Sequence, residues 1–277
     1  MIPQTLTVVK NNGEEFIIET NTDMEVLNFL PPSPFYNAQY EKIDGSHGQI
    51  DLGGSFDARD NIRTKIIFYA KDIWDFYLFR DEIFKLFASQ EPFYIITNRQ
   101  PGKRWKVRVA NTYEIEPQGF GQYGVFDIIF KSASPFCESI GTTLDDFTFD
   151  SGLWQLGQGL IAEDVQYKHK TSSFRIYNAG YIEIDPRQLP LIIRIKGATN
   201  GLTITNRTTG DVFKLNIPTA TSDIVELNRV RVFKNGNTVF TSTNKKVIRL
   251  APGWNDFIVS GISGAFQIEF DFRFYYL

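Results

Sequence analysis

Few residues in this sequence combine the type and the spacing that chemistry requires. Gly119-Phe120-Gly121-Gln122-Tyr123-Gly124 matches the letters of the dinucleotide fingerprint. That motif binds a pyrophosphate only when a strand precedes it and a helix N-terminus follows. Here the β-rich run Val125-Phe126-Asp127-Ile128-Ile129-Phe130 follows, so the glycines are expected in a hairpin. The two histidines, His47 in a glycine-rich segment and His169 between lysines, stand at no metal-ligand spacing from each other or from Cys137. A serine or cysteine triad would have to recruit one of them, and no nucleophile signature such as Gly-x-Ser-x-Gly is present. Asp145-Asp146 and Glu163-Asp164 are the obvious carboxylate pairs. A glycosidase needs two carboxyls across a sugar bond, which adjacency in sequence does not provide, so a cell-wall hydrolase is disfavoured and the pairs read as solvated charge. Residues 103–108 set basic side chains around Trp105, a mixture found in single-strand nucleic-acid binders and also on any solvated strand. No catalytic residue, metal ligand or cofactor is assigned, and an enzyme is not expected.

Bulk properties narrow the classes further. The 277 residues suffice for two domains. A formal net charge of −3 argues against a protein whose affinity comes from neutralising phosphates. The single cysteine excludes an intrachain disulfide. The first residues lack a basic segment followed by an apolar one, and no apolar run approaches membrane-spanning length, so a soluble protein made in the cytoplasm is expected.

The elements that must position any site are mostly strands. Residues 5–20 give a strand pair around Asn11-Asn12-Gly13, and the prolines at 31, 32 and 34 then force an irregular or extended stretch. Residues 40–54 pack glycines between short apolar positions and read as a hairpin arm. A strand over 62–69 feeds a helix over 71–89, where Asp72 can cap the start and Asp75 suits the positive N-terminal end. Ile73, Phe76, Tyr77, Ile83, Phe84 and Phe87 recur at helical spacing as one buried face. Trp74, Leu78, Phe79 and Leu86 add apolar surface on the flanks, more than one packing face requires. Residues 93–97 and 105–109 pair across a turn, 125–130 form another strand, and a boundary falls near 135–150. The second half reads as an antiparallel sandwich with strands near Phe174, Leu191, Ile204, Leu215, Val230, Val247 and Phe257. Its last segment alternates, with Phe266, Ile268, Phe270, Phe272 and Phe274 on one face.

In order along nearly the whole chain, these pieces resemble the distal tail protein family of long-tailed phages (siphoviruses). The resemblance rests on Ile43-Asp44-Gly45-Ser46-His47-Gly48 with Asp51-Leu52-Gly53-Gly54-Ser55 and Arg59, on the helix, and on the turn at 98–103 with Trp105. It continues through residues 130–136, 150–159 and 174–180, Pro190, Ile204-Thr205-Asn206, and Leu250-Ala251-Pro252-Gly253-Trp254-Asn255.

The resemblance implies a mainly β chain with one prominent helix. Residues 1–138 would form a tail-tube-like β-sandwich with the helix and a projecting hairpin, and residues 139–277 a galectin-like or jelly-roll sandwich. It further implies a homohexameric ring in the virion, at the tail tip, synthesised and assembled in the host cytoplasm. The implied partners are the major tail tube protein, the tape-measure protein, the tail-associated lysin or fibre protein and, in many phages, receptor-binding or baseplate proteins. No membrane and no sequence-specific nucleic acid is implied; DNA would pass through the ring, which suits an acidic chain. The inter-subunit candidates are Ile43, Asp44, Gly45, His47, Gly48 and Leu52 of the arm, Trp74, Leu78 and Phe79 of the helix, and Lys103, Arg104 and Trp105. In a ring the arm would extend a neighbour's sheet edge, and the helix flank would meet an adjacent subunit or the second domain. The competing reading is a carbohydrate-binding module for host cell-wall recognition, with Trp154, Trp254 and Tyr275 as stacking candidates.

Overall fold

The computed structural model describes residues 3–19, 22–161 and 165–277, in two compact units: 1–137 with 277, and 138–276. The fold class expected from the sequence holds: among the described residues the chain is mainly antiparallel strands with one α-helix.

The first unit contains β1 (Leu6–Val9), β2 (Glu15–Ile18), β3 (Met24–Leu30), β4 (Tyr36–Glu41), β5 (Ile50–Phe56), β6 (Arg59–Tyr69), α1 (Ile73–Phe87), β7 (Phe93–Thr97), β8 (Lys103–Val109) and β9 (Tyr123–Ser132). All but β4 and β5 join one sheet in the order β2-β1-β7-β8-β9-β6-β3, while β4 and β5 pair only with each other. Each strand of the large sheet alternates, as a half-buried strand must. Ile62, Ile66 and Phe68 of β6 and Phe126, Ile128 and Phe130 of β9 point inward.

Helix α1 covers that inner face. Asp72 caps it, accepting from the backbone N–H of Trp74 and of Asp75 at 2.9 Å, and Asp75 reaches back to the N–H of Lys71 at 2.9 Å. Phe76, Ile83 and Phe87 are buried, with Phe76 5.1 Å from the Phe68 ring and Phe87 5.9 Å from that of Phe130. Gly124 makes room for this layer, since a Cβ there would lie 2.5 Å from the Phe68 ring. Tyr77, expected on the buried face, is instead exposed with Arg80 over its ring at 4.8 Å. The buried stripe is narrower than the periodicity suggested because the large rings at 76, 83 and 87 already fill the contact.

The second unit holds β10 (Cys137–Ser139, at the division between units), β11 (Lys168–His169), β12 (Ser173–Asn178), β13 (Leu191–Asn206), β14 (Asp211–Lys214), β15 (Ile224–Asn228), β16 (Arg231–Lys234), β17 (Asn237–Thr238), β18 (Gly253–Phe272) and β19 (Tyr275–Tyr276). The long strands β13 and β18 organise it. One half of β18 pairs with β12 and with residues 203–206 of β13; the other half pairs with β11 and with residues 191–197 of β13. Register shifts between Gly197 and Thr203 bend the pair, so the two halves face one another. Phe257 and Phe270, from opposite halves of one strand, meet with ring centroids 4.9 Å apart. The alternation expected for residues 266–274 holds, with Ile268, Phe270, Phe272 and Phe274 buried. On the other face Arg194 ties three strands together, reaching Glu226 at 2.8 Å, Glu269 at 3.3 Å and Asp271 at 3.6 Å.

Three expectations are corrected here. Leu191 and Ile204 belong to one strand, because the bulged turn signals at Gly197 and Gly201 bend the chain without ending it. The strand expected at Val230 is a turn between β15 and β16, made possible by Arg229 adopting φ 57°. Leu215 and Val247 lie outside the strands; Leu215 makes only an isolated bridge to Thr243. The Asn235-Gly236 turn stands as expected, with φ 48° and 80°.

Phe76→Ala is expected to destabilise the first unit by about 3–5 kcal/mol and Tyr77→Ala by less than about 1, measured by urea denaturation. In the second unit His169 stacks on Phe174 at 4.3 Å, and burial pushes its pKa below 6.5, against the opposing bond to the Gln166 carbonyl. The unfolded chain therefore binds the extra proton first as pH falls below 6.5. Stability is full above that value and declines below it, levelling off once the folded ring is also protonated. A urea midpoint that drops between pH 7.5 and 5.5, and drops less in His169→Phe, is the expected result.

Candidate assembly surface

The residues that looked chemically suggestive occupy structural positions. Gly119-Phe120-Gly121 makes a single 3₁₀ turn entering β9, with φ 57°, 60° and 88°, and no helix N-terminus follows it. Asp145 closes its own loop, accepting from the Thr142 N–H at 2.7 Å, and the Asp146 carbonyl receives the Trp154 indole N–H at 2.8 Å. Glu163 and Asp164 lie outside the described residues. His47 is exposed in the β4–β5 loop, His169 is in the second unit, and Cys137 is buried. Among the described residues no group of three or more His, Cys, Asp or Glu side chains could hold a metal ion. No helix among them is long and apolar enough to cross a membrane.

The sugar-stacking candidates are occupied within their own unit. Trp154 is buried against Phe147, with ring centroids 4.6 Å apart, and Tyr275 is buried. Trp254 is half-buried under the Arg175 guanidinium, 4.2 Å from its ring. Trp154 and Tyr275 are thus closed to stacking, and Trp254 carries Arg175 over one face.

The first unit carries a ribbon and a helix flank whose apolar side chains have no covering layer. β4 and β5 form a two-stranded ribbon with the register Tyr36↔Phe56, Ala38↔Gly54 and Glu41↔Ile50, joined by the loop carrying Ile43, Asp44, Gly45, His47 and Gly48. Tyr36, Tyr40, Ile43, Ile50 and Leu52 are all exposed on it. The ribbon tolerates no side chain at Gly54, where a Cβ would fall 2.0 Å from the Asn37 carbonyl oxygen.

Its root, by contrast, is firmly held. Phe56 packs edge-on to Tyr36 at 5.2 Å and to Phe136 at 5.8 Å. Arg59, 3% exposed, donates Nε and Nη2 to the Pro135 carbonyl at 3.1 and 2.7 Å and Nη1 to that of Pro32. Its guanidinium lies 5.2 Å from the Trp105 ring, and burial lowers its pKa. Trp105, an inter-subunit candidate by sequence, is thus buried inside its own unit as the floor beneath Arg59. Arg104 points the other way, 3.9 Å from the Tyr94 ring, and Lys103 is half-buried.

On α1 the flank candidates divide. Phe79 is half-buried, 5.0 Å from the Phe68 ring. Trp74 and Leu78, one helical turn apart, are 78% and 69% exposed. Sequence reading missed Phe120, which is fully exposed at the turn whose Gly121 abuts Ile73 at the helix start. The signal available was an aromatic between two glycines in a hairpin turn, where nothing local can bury it.

The comparisons with known proteins bear on this unit first. Residues 12–132 match the family model described as phage tail protein RIFT-related domain. Among solved structures, the crystal structure of the phage SPP1 Dit protein matches at TM-score 0.69 and 13% identity, covering 98% of this chain and 99% of that one. That protein is described as a paradigm of the hub adsorption apparatus in phages that infect Gram-positive bacteria. Two structures of the phage P2 baseplate, in its activated conformation with Ca and with Sr, match at TM-scores of 0.49 and 0.48 with 11% and 10% identity. Each match covers 99% of this chain and 98% of the other. No curated protein matches the chain. The expected resemblance thus meets a phage tail domain match over residues 12–132 and a fold shared with the SPP1 Dit protein along nearly the whole chain.

Arg59→Met should strand the Pro32 and Pro135 carbonyls and lower the first unit's stability by about 3 kcal/mol in urea denaturation. Backbone amides of β4 and β5 should also exchange faster with deuterium than in the parent chain. Trp74→Ala should change stability by less than about 0.5 kcal/mol, since its side chain stands in water.

Proposed function

We propose that this chain is the structural hub of a phage tail tip, a ring of six copies that joins the tail tube and tape-measure protein to the lysin or fibre components below. The reading rests chiefly on one coincidence. The residues that match a phage tail domain, 12–132, are the ones that carry the uncovered ribbon and the exposed helix flank. Family and surface therefore point to the same half of the chain.

In this reading the arm of one copy lies along the sheet of the next, so Tyr40, Ile43, Ile50 and Leu52 leave water. A heterologous contact of this kind closes into a ring when its rotation divides a full turn. Trp74, Leu78 and Phe120 form a second apolar surface for an adjacent subunit or a tail partner. The work of the protein is assembly, with no reaction catalysed. The second unit serves as the outward module to which receptor-binding or baseplate components attach. A carbohydrate-binding role gains no support from Trp154 or Tyr275, both buried within the unit, or from Trp254, which is half-buried under Arg175.

Light scattering of the full chain should give about 190 kDa, six times the 31.8 kDa of one copy. Deleting residues 45–53 should leave a folded, soluble monomer. Rings persisting in that deletion would remove the arm from the account, and a monomeric parent chain at every concentration would remove the ring.

A further inference from the structure

We propose that Phe120 of one copy inserts into a groove between α1 and β2 of the next, so that neighbouring first units join head to tail. This contact deepens the ring reading, on which it rests.

The knob is held at a cost. Phe120 is fully exposed and adopts φ 60° and ψ 30°, a left-handed conformation that is an outlier for a bulky side chain. The turn around it is nonetheless fixed. Gly119 and Gly121 are left-handed too, and a Cβ on them would fall 2.8 Å from the Tyr123 ring and 2.8 Å from the Ile73 Cα. The Gln118 carbonyl accepts from the N–H groups of Gly121 and Gln122 at 3.0 Å, and the Gln122 carbonyl accepts from that of Ala70 at 2.8 Å. Backbone strain of this kind gathers at functional positions. An aromatic held rigidly in water loses little freedom on docking, which suits a side chain that anchors an interface.

The hole is on the same unit. At the edge strand β2 the sheet runs out from under the helix, so Phe16, opposite the buried Val8 on the helix side, stays part-exposed. Phe79 and Leu86 of α1, also part-exposed, form the facing wall of a groove of about 320 Å³, with Met24 and Ile83 closed behind them. Lys10 ties the two walls together by donating to the Leu86 carbonyl. Around the rim Lys10 and Lys85 are matched by Glu14 and Glu82, so the opening carries no net charge. Phe120 stands between Gln118-Gly119 and Gly121-Gln122, which are equally uncharged. An apolar groove with a balanced rim takes a neutral aromatic, because a charged ligand would lose its water there without a partner.

The placement makes the contact intermolecular. Gly121 sets the knob against Ile73 at the start of α1, whereas the groove lies along the last two turns. From Ile73 to Ile83 in the groove is about 15 Å at 1.5 Å per residue, beyond the reach of one Phe side chain. The groove therefore receives Phe120 from another copy. Two different patches in contact make a heterologous interface, the type that closes into rings.

The test uses cysteine pairs in the full chain. An equimolar mixture of Phe120→Cys and Glu82→Cys chains should give, on mild oxidation, a cross-linked pair whose peptide map contains the 120–82 disulfide; the parent chain, with Cys137 buried, is the background. F120C/E82C in one chain should give a ladder that ends at the hexamer. Phe120→Ala should leave the urea midpoint unchanged, since the ring stands in water, and raise the dissociation constant of the assembly about thirtyfold, the loss expected of an anchoring aromatic. Assemblies as tight in Phe120→Ala as in the parent, no 120–82 disulfide, or a ladder that stops at the dimer would overturn the contact while light scattering still reports rings. A parent chain monomeric at every concentration would overturn both the contact and the ring.

Discussion

A two-stranded ribbon has two faces and no second layer, so it cannot bury its own side chains. That constraint governs the first unit. β4 and β5 pair with no other strand, yet they carry tyrosines, isoleucines and a leucine into water. The rest of the unit is built to hold such a ribbon out. Arg59 is buried without a carboxylate among its partners and spends its donors on the carbonyls of Pro32 and Pro135, which tie the ribbon's entry to the unit's exit. Trp105 supplies the aromatic face on which that guanidinium rests. The root is ordered by the unit's own contacts, and the outer residues stand in water.

The helix shows the same division within one element. Its inner side is fixed by Phe76, Ile83 and Phe87 against the sheet, with the start capped by Asp72. Its outer side keeps Trp74 and Leu78 in solvent, joined by Phe120 from the turn beside the helix start. Isolated exposed apolar residues are ordinary, whereas a Trp and a Leu one turn apart on a helix form a paired apolar surface of the kind that marks interaction sites. The proposed assembly role accounts for both uncovered surfaces.

Much of this was legible from residue order alone. Asp72 as a cap and the hairpins around Asn11-Asn12-Gly13 and Asn235-Gly236 follow from local chemistry, and local chemistry prevailed. The final strand's alternation was readable because a single buried face imposes a period of two. Elsewhere tertiary structure overrode the local signal. Strands were expected near Leu191 and near Ile204, whereas Gly197 and Gly201 mark the bend that lets one strand, β13, serve both halves of its unit. Val230 looked like strand and is turn, because Arg229 accepts a left-handed backbone that its type rarely adopts. Trp105, grouped with basic neighbours, belongs to the core, since β8 sends alternate residues inward. For the arm, the ribbon and its glycines were legible in residues 40–54, while the surface facing its exposed side chains is written in no single segment.

Hydrogen–deuterium exchange across a dilution series tests this account most directly, because it reads the arm itself. If another copy covers the ribbon, amides on the outer edges of β4 and β5 will be protected in concentrated protein and lose that protection on dilution, while β6 and β9 stay protected throughout. Fast exchange of the ribbon at every concentration, in a sample whose particles are rings, would contradict it.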